Sequence, residues 1–432
     1  MSTIDVLVVG SGAREHALAW KIAASERLGK LYAAPGNPGM AAVAECLPVR
    51  VDDLDGLVEA ARSRGVGLVV IGPEAPLAAG LADRLAAAGI PAFGPSAAAA
   101  RIESSKAFAR EVMTQAGVPQ PEYATFNRAE DALSYLDGLE ARGIKASVVK
   151  ASGLAAGKGA IVCETPEAAR EAVRSLMVEG SLGAAGAEVV IEERLIGEEA
   201  SLFVLTDGKD AVPLLPAQDY KRAHDGDQGP NTGGMGSYAP APVLTPELVE
   251  TAMAQIVRPT LQGLAAQGSP FQGCLYAGLM KTADGLKVIE FNCRFGDPET
   301  QVVLPLLETD LLELLLACAT GRLGERSLRW KPGAAVTVVL ASGGYPGSYA
   351  TGKTIGGLDA AAAVEGVVVF HAGTAQRDGR IVTAGGRVLS VSAVGPNFAA
   401  AIDAAYAAAN RIQFEGRHLR TDIAARVREA EA

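Results

Sequence analysis

Ile4-Asp5-Val6-Leu7-Val8-Val9-Gly10-Ser11-Gly12-Ala13-Arg14-Glu15-His16 is a β-branched apolar run, a glycine turn and the start of a helical period that extends over 13–24. The same alternation recurs outward from it. Strands are predicted at 31–34, 66–71 and 90–93, helices at 54–63 and 77–88, and Gly/Pro loops follow the strands at 35–37 and 72–73. This pattern predicts an α/β parallel sheet with helices on both faces. Ligands bind such sheets at the carboxyl ends of the strands, so Gly10, Gly12 and Asn37 fall on the functional edge. The turn begins like GxGxxG, but Glu15 stands at the third glycine position, which argues against a dinucleotide. Two readings remain. One is a phosphate-bearing ligand on the free N–H groups of the helix N-terminus; the other is a tight turn with no ligand.

At 432 residues the chain is long enough for two to four domains. It carries 39 Lys plus Arg against 49 Asp plus Glu, a net charge of −10, which disfavours nucleic acid or an anionic membrane surface as partner. With 49% hydrophobic and 20% charged residues it reads as globular. No apolar run reaches the roughly 18 residues of a membrane span, and Asp5 within the first run argues against a signal peptide. Five scattered cysteines without CxxC spacing predict no disulfide framework and a reducing, cytoplasmic setting. The four histidines lie far apart and read as structural or surface groups rather than bases or metal ligands.

Further along, Pro119 and Pro121 mark a connection, and a smaller β/α unit follows at 122–195, with strands at 147–150, 160–163 and 189–193 and a helix at 166–178. Two stretches, 218–238 and 295–298, read as irregular, and loops of such length are usually functional. The last hundred residues restart with a strand at 334–340 and end with a helix at 397–412, an α+β pattern. The expected division is 1–104, a Rossmann-like domain; 105–327, with a lid at about 122–195; and 328–432.

Three stretches carry chemistry. In Val148-Val149-Lys150-Ala151-Ser152-Gly153-Leu154-Ala155-Ala156-Gly157-Lys158-Gly159, a strand delivers Lys150 and a glycine-rich loop delivers Lys158, a pattern suited to a polyphosphate. It is not a Walker A motif, since Gly159 stands where Ser or Thr is required. In Leu286-Lys287-Val288-Ile289-Glu290-Phe291-Asn292-Cys293-Arg294-Phe295-Gly296-Asp297-Pro298-Glu299, strand alternation sets Glu290 and Asn292 on one face, about 7 Å apart, with Ile289 and Phe291 on the other. Hard oxygen ligands of this kind suit Mg²⁺, and Arg294 projects the same way toward a phosphoryl or carboxylate oxygen. The third stretch, Gln218–Arg222 with Gly229-Pro230-Asn231-Thr232-Gly233-Gly234-Met235-Gly236, is dense in donors and glycine. Ile191-Glu192-Glu193-Arg194-Leu195 is weaker, because acid pairs at strand ends are usually solvated.

Taken in order, GSGAREHAL, VVKASGLAAGKG, IEERLIGEEAS, GPNTGGMG and EFNCRFGDPETQ resemble the phosphoribosylamine–glycine ligase family of ATP-grasp enzymes over essentially the whole chain. The resemblance implies an ATP-grasp fold and the ligation of glycine to 5-phosphoribosylamine at the expense of ATP, through glycyl phosphate, as the second step of purine synthesis. It implies that Lys106, Lys150, Gly157, Lys158 and Gly159 meet nucleotide phosphates, that the backbone over Glu192, Glu193 and Leu195 reads adenine, and that Glu199 holds ribose. Glu290 and Asn292 would bind Mg²⁺ or Mn²⁺. Asp219, Lys221, Asn231, Thr232, Gly233, Arg294, Asp297 and Glu299 would surround glycine and phosphoribosylamine, with Arg294, Asp297 and Lys158 closest to the chemistry. A monomer or weak dimer, in transient contact with the enzyme that supplies the labile amine, completes the expectation.

Ser152 departs from the family pattern, where Asp is expected, and so does Ala13, where Gly is common; the strand at 275–280 lacks the acid that many ATP-grasp enzymes carry there. Another ATP-grasp ligase or carboxylase, a non-catalytic nucleotide-binding module and an NAD enzyme are the competing readings.

Overall fold

Ile4–Gly10 is the central strand of a five-stranded parallel sheet and is buried from Val6 onward. The computed structural model describes residues 3–155, 159–324 and 326–431, with the backbone alone at Glu431. The strand order is Glu45–Cys46, Leu28–Pro35, Ile4–Gly10, Leu68–Ile71, Ala92–Phe93. Val and Leu on both faces of the central strand are what a doubly covered parallel strand requires. The order reverses beside Ile4–Gly10, so the crevice opens just beyond Gly10. The helix expected at 77–88 is two helices, Glu74–Ala78 and Leu81–Ala87, because Gly80 adopts φ 86° and ends the first ladder.

Ser105 ends the helix Ala97–Ser104 and caps Lys106–Gln115, accepting from Phe108 N at 3.2 Å. An antiparallel sheet follows in the order Tyr123–Phe126, Val189–Glu193, Ser147–Ala151, Ala160–Cys163. Its first strand and the helix Ala129–Ala141 lie in a stretch that the sequence reading left unassigned. Leu136, Leu139, Val149, Val173 and Ile191 form an apolar cluster of their own within this unit. A second antiparallel sheet runs Ala211–Pro213, Glu198–Thr206, Gly273–Thr282, Gly285–Asn292.

The stretch at 218–238 is not irregular throughout. Gln218–Asp219 and Gly236–Ala239 are strands of the last large sheet, which continues through Ala334–Ala341, Arg387–Gly395 and Val367–His371. Arg222–His224 and Gln228–Asn231 form a hairpin between them. Gly236–Ala239 has no alternating apolar pattern to announce it; its pairing partner, Ala334–Ala341, supplies the order. The second and third expected domains therefore share a sheet, and all three share a core: one cluster runs from Leu7 and Val9 through Leu202 and Leu275 to Val336 and Val338.

The histidines sit in two pairs. His16 Nδ1 accepts from His371 N at 2.9 Å, and Phe370 stands edge-on to His16 at 5.5 Å. His224 and His418 meet at 5.3 Å. Burial, followed by the neighbouring His371, lowers the pKa of His16 to about 3, and burial lowers that of His371 to about 4. In the unfolded chain both titrate near 6.5. Between 6.5 and about 4 the unfolded state therefore binds protons that the folded state refuses, and stability falls as pH falls. The expected slope is about 1.4 kcal/mol per pH unit for each histidine. Urea unfolding at pH 7, 6 and 5 measures it. His16→Gln keeps an acceptor for His371 N and cannot titrate, so its profile is expected to be shallower by one histidine; an equally steep profile would clear His16 of this role.

Candidate active site

A cleft of about 810 Å³ lies between the two antiparallel sheets and reaches Arg14 and Glu74 on N-terminal helices and Arg387 on the C-terminal sheet. At its base Glu192 accepts from two cations. Arg110 meets Oε1 through Nε at 2.8 Å and NH2 at 2.7 Å, and Lys150 Nζ meets Oε2 at 2.8 Å. All three side chains are at most 4% exposed. Both cations also donate to Ile289 O, Arg110 NH2 at 2.7 Å and Lys150 Nζ at 2.9 Å. Burial lowers the pKa of Lys150 although Glu192 opposes the shift.

Ile289 can serve both because it is a bulge. Glu290 pairs with Gly278 and Val288 with Leu279, so Ile289 has no opposite residue. This adjusts the expected alternation: Val288 and Phe291 enter the core, Phe291 bordering the cleft as well, whereas Ile289 lines the cleft with Glu290 and Asn292 and is not in the core cluster. It also corrects the reading of Glu192 as half of a solvated acid pair. Glu193 is the exposed one, 3.4 Å from Lys287. Leu195 and Ile196 line the cleft, and Ile196 is 81% exposed.

The Glu290 carboxylate and the Asn292 amide open onto the cleft and have no hydrogen-bond or ion-pair partner among the described residues. Burial raises the pKa of Glu290, but Lys150, Lys106, Lys221 and Arg294 outweigh it and keep the group anionic. Across the sheet stand Gly278 and Tyr276, so no further acid joins the pair there. Among the described residues no group of three His, Cys, Asp or Glu is placed to hold a metal. One carboxylate, one amide oxygen and open space fit a Mg²⁺-like ion, which keeps several waters and takes substrate phosphates as ligands.

Lys221 Nζ lies 2.5 Å from Glu199. Asp219 makes no ion pair among the described residues; burial raises its pKa to about 7, with Lys221 opposing and Glu299 and Glu199 adding to the rise. Glu299 is buried and accepts from Tyr276 OH at 2.9 Å and Ser201 Oγ at 3.1 Å. Asn231 lines the cleft, and Thr232 Oγ1 donates to Lys221 O at 2.9 Å, closing the base of the glycine-rich turn. Lys106 and Gly159 line it too, whereas Gly157 and Lys158 lie outside the described residues. Ser152, the departure from Asp, accepts from Ala107 N at 3.2 Å and so caps the helix that carries Lys106.

Arg294 NH2 reaches Glu103 Oε1 at 2.9 Å, and its buried Nε lies 3.4 Å from Glu74 Oε2, an ion pair without a well-aligned hydrogen bond. Burial opposes its charge, but Glu103 and Glu74 hold its pKa above the usual arginine value. Asp297 is held low by Arg387 and Arg14 against the effect of burial. The N-terminal turn differs from expectation. Gly12 N donates to Glu15 Oε2 at 2.7 Å, so the helix caps itself instead of offering that N–H to a ligand. A Cβ at Gly10 or Gly72 would come within 2.4 Å of the Glu15 side chain, which fills the hollow beside both. Asn37 is likewise spent within the protein: Nδ2 donates to Ser11 O and His371 O, and Oδ1 accepts from Gly39 N and Met40 N. Gly10, Gly12 and Asn37 are therefore not part of the cleft lining. Arg14, Arg110, Glu103 and Arg387 are, and the sequence reading did not single them out. Only Arg14 had a signal, its place in the quoted GSGAREHAL stretch.

Models of the phosphoribosylglycinamide synthetase N domain, ATP-grasp (A) domain and C domain match residues 4–103, 104–300 and 335–426. A phosphoribosylamine–glycine ligase of Brucella melitensis is 52% identical over 99% of both chains. The chain belongs to the phosphoribosylglycinamide synthetase family. A phosphoribosylamine–glycine ligase of Caulobacter vibrioides is also 52% identical, over 98% of each chain. The crystal structure of phosphoribosylamine–glycine ligase from Thermotoga maritima superposes with a TM-score of 0.84 at 32% identity, covering 97% of this chain and 100% of that one. A biotin carboxylase domain from Hydrogenobacter thermophilus has a TM-score of 0.73 at 19% identity and covers 97% and 92%, a likeness of fold alone. As an ATP-grasp synthetase the phosphoribosylglycinamide synthetase family uses ATP and depends on a divalent cation. No helix among the described residues is long and apolar enough to cross a membrane.

Proposed function

We propose that this protein joins glycine to 5-phosphoribosylamine at the expense of ATP, releasing glycinamide ribonucleotide, ADP and phosphate, in the cytoplasm. The observation that carries the reading is the open Glu290–Asn292 pair beside the buried Lys150 in one cleft, within a chain 52% identical to ligases of that name. Lys106 and Lys150 meet the nucleotide phosphates, the backbone near Glu192, Glu193 and Leu195 takes adenine, and Glu199 takes ribose. Glu290 and Asn292 hold Mg²⁺ or Mn²⁺, which when bound neutralises charge on the phosphates. Arg294 and Asp297 border the reacting groups, and Lys221, Asn231, Thr232 and Gly233 border the amine substrate.

A carboxylate is a poor acyl donor. A glycine carboxylate oxygen attacks the γ-phosphorus of ATP and ADP leaves; the amine nitrogen then attacks the acyl carbon, and phosphate leaves with that oxygen. The amine loses one proton, for which Asp219, with a pKa of about 7, is the acceptor. The cleft supplies mainly orientation and charge neutralisation. Glycine labelled with ¹⁸O in its carboxylate is therefore expected to pass one labelled oxygen to phosphate per turnover. Unlabelled phosphate, with exchange from water controlled, would overturn the acyl phosphate. ADP release across a panel of amino acids, with and without phosphoribosylamine, separates this reading from another ATP-grasp ligase or carboxylase.

A further inference from the structure

Arg387 enters the cleft from the C-terminal sheet. Its NH1 donates to Gly233 O at 2.7 Å and to Asp297 O at 2.8 Å, and lies 3.2 Å from Asp297 Oδ1. One nitrogen thus ties together two loops from distant parts of the chain. The guanidinium lies against Gly233: a Cβ there would stand 3.0 Å from Cζ, 3.1 Å from NH2 and 3.3 Å from Nε. Gly233 N donates to Tyr345 OH at 2.9 Å, which fixes the turn from the other side.

A guanidinium has five N–H donors in a planar fork. Only those on NH1 are matched; Nε and NH2 have no acceptor among the described residues. Yet the side chain is only 23% exposed and borders the cleft, as do Arg14, Arg294 and Arg426. Asp297, the acid nearest Arg387, is already engaged by NH1 and by Gln301 Nε2 at 2.8 Å. Neither Nε nor NH2 is sealed off inside the protein, so these donors face the cleft and are open to an occupant that accepts from them. The Nε–NH2 edge is the one that receives two oxygens of a phosphate or carboxylate side by side.

We propose that the Nε–NH2 edge of Arg387 binds an oxyanion of a substrate, so that the C-terminal segment takes a direct part in recognition. The inference rests on the functional reading above for its two sources of oxyanion, a phosphate monoester and an amino-acid carboxylate.

Ribose 5-phosphate and glycine are the probes, titrated calorimetrically into the full-length protein with Mg²⁺ and a non-hydrolysable ATP analogue. Arg387→Lys keeps the charge and loses the fork, Arg387→Met loses both, and Gly233→Ala presses a methyl group against the guanidinium. In all three, binding of one probe is expected to weaken at least tenfold while the other stays within twofold, and the probe affected names the source. Two results overturn the inference while leaving the functional reading in place: a parent protein that binds both probes with variants unchanged within twofold, or variants that lose both probes equally. A parent protein that binds neither probe overturns both readings.

Discussion

Glu290→Gln is expected to leave the chain folded and to lower the rate of glycine-dependent ADP formation about a thousandfold, the equivalent of ~4 kcal/mol of transition-state stabilisation. The fold survives because the carboxylate has no hydrogen-bond or ion-pair partner among the described residues and stands opposite Gly278. The rate falls because the amide that replaces it carries no charge, in a pair that holds only one charged oxygen donor group. Lys150, Lys106, Lys221 and Arg294 all act on that charge, so its loss also leaves the surrounding cations less compensated. Steady-state kinetics over a Mg²⁺ titration, with thermal unfolding as control, measure both effects. Near-normal turnover at saturating Mg²⁺ would remove Glu290 from the metal role.

Glu192→Gln is expected to cost about 3–5 kcal/mol of stability, the range seen when one partner of a buried ion pair is removed. Two cations, Arg110 and Lys150, would then share Ile289 O with no anion between them. Because Lys150 is held in place by that carboxylate, the KM for ATP is expected to rise as well. Replacing Glu192, Arg110 and Lys150 together by leucine or methionine is expected to recover much of the stability and none of the activity. Urea unfolding separates the cases, and a single-variant loss below about 1 kcal/mol would show that the cluster does not hold the lid sheet to the strand Gly285–Asn292.

The strands Ala160–Cys163 and Val189–Glu193 were legible because β-branched runs bounded by turns have few other ways to fold. Glu290 and Asn292 were legible because a two-residue spacing is a local property of a strand. Ile289 was misjudged because the bulge lies in the pairing with Gly278 and Leu279, not in the run itself. Arg110, Glu103 and Arg387 were missed for a related reason. Their partners are Glu192, Arg294 and Asp297, each in another element, and an arginine on a helix or strand looks the same with or without such a partner. Asn37 went the other way: a polar residue in a Pro-Gly-Asn turn suggests a ligand, but its four hydrogen bonds all stay inside the protein.

The pairing of Gly236–Ala239 with Ala334–Ala341 has a consequence for biosynthesis. Ser237 waits for Thr337, about 100 residues downstream, which at 5–20 residues per second means roughly 5–20 s on the ribosome. The parallel sheet at 4–93 has every strand it needs long before then. The nascent chain thus carries a complete first sheet beside an edge without its neighbour, and Asp219, on the strand paired to Ser237, gains its final surroundings only when the last quarter of the chain has emerged.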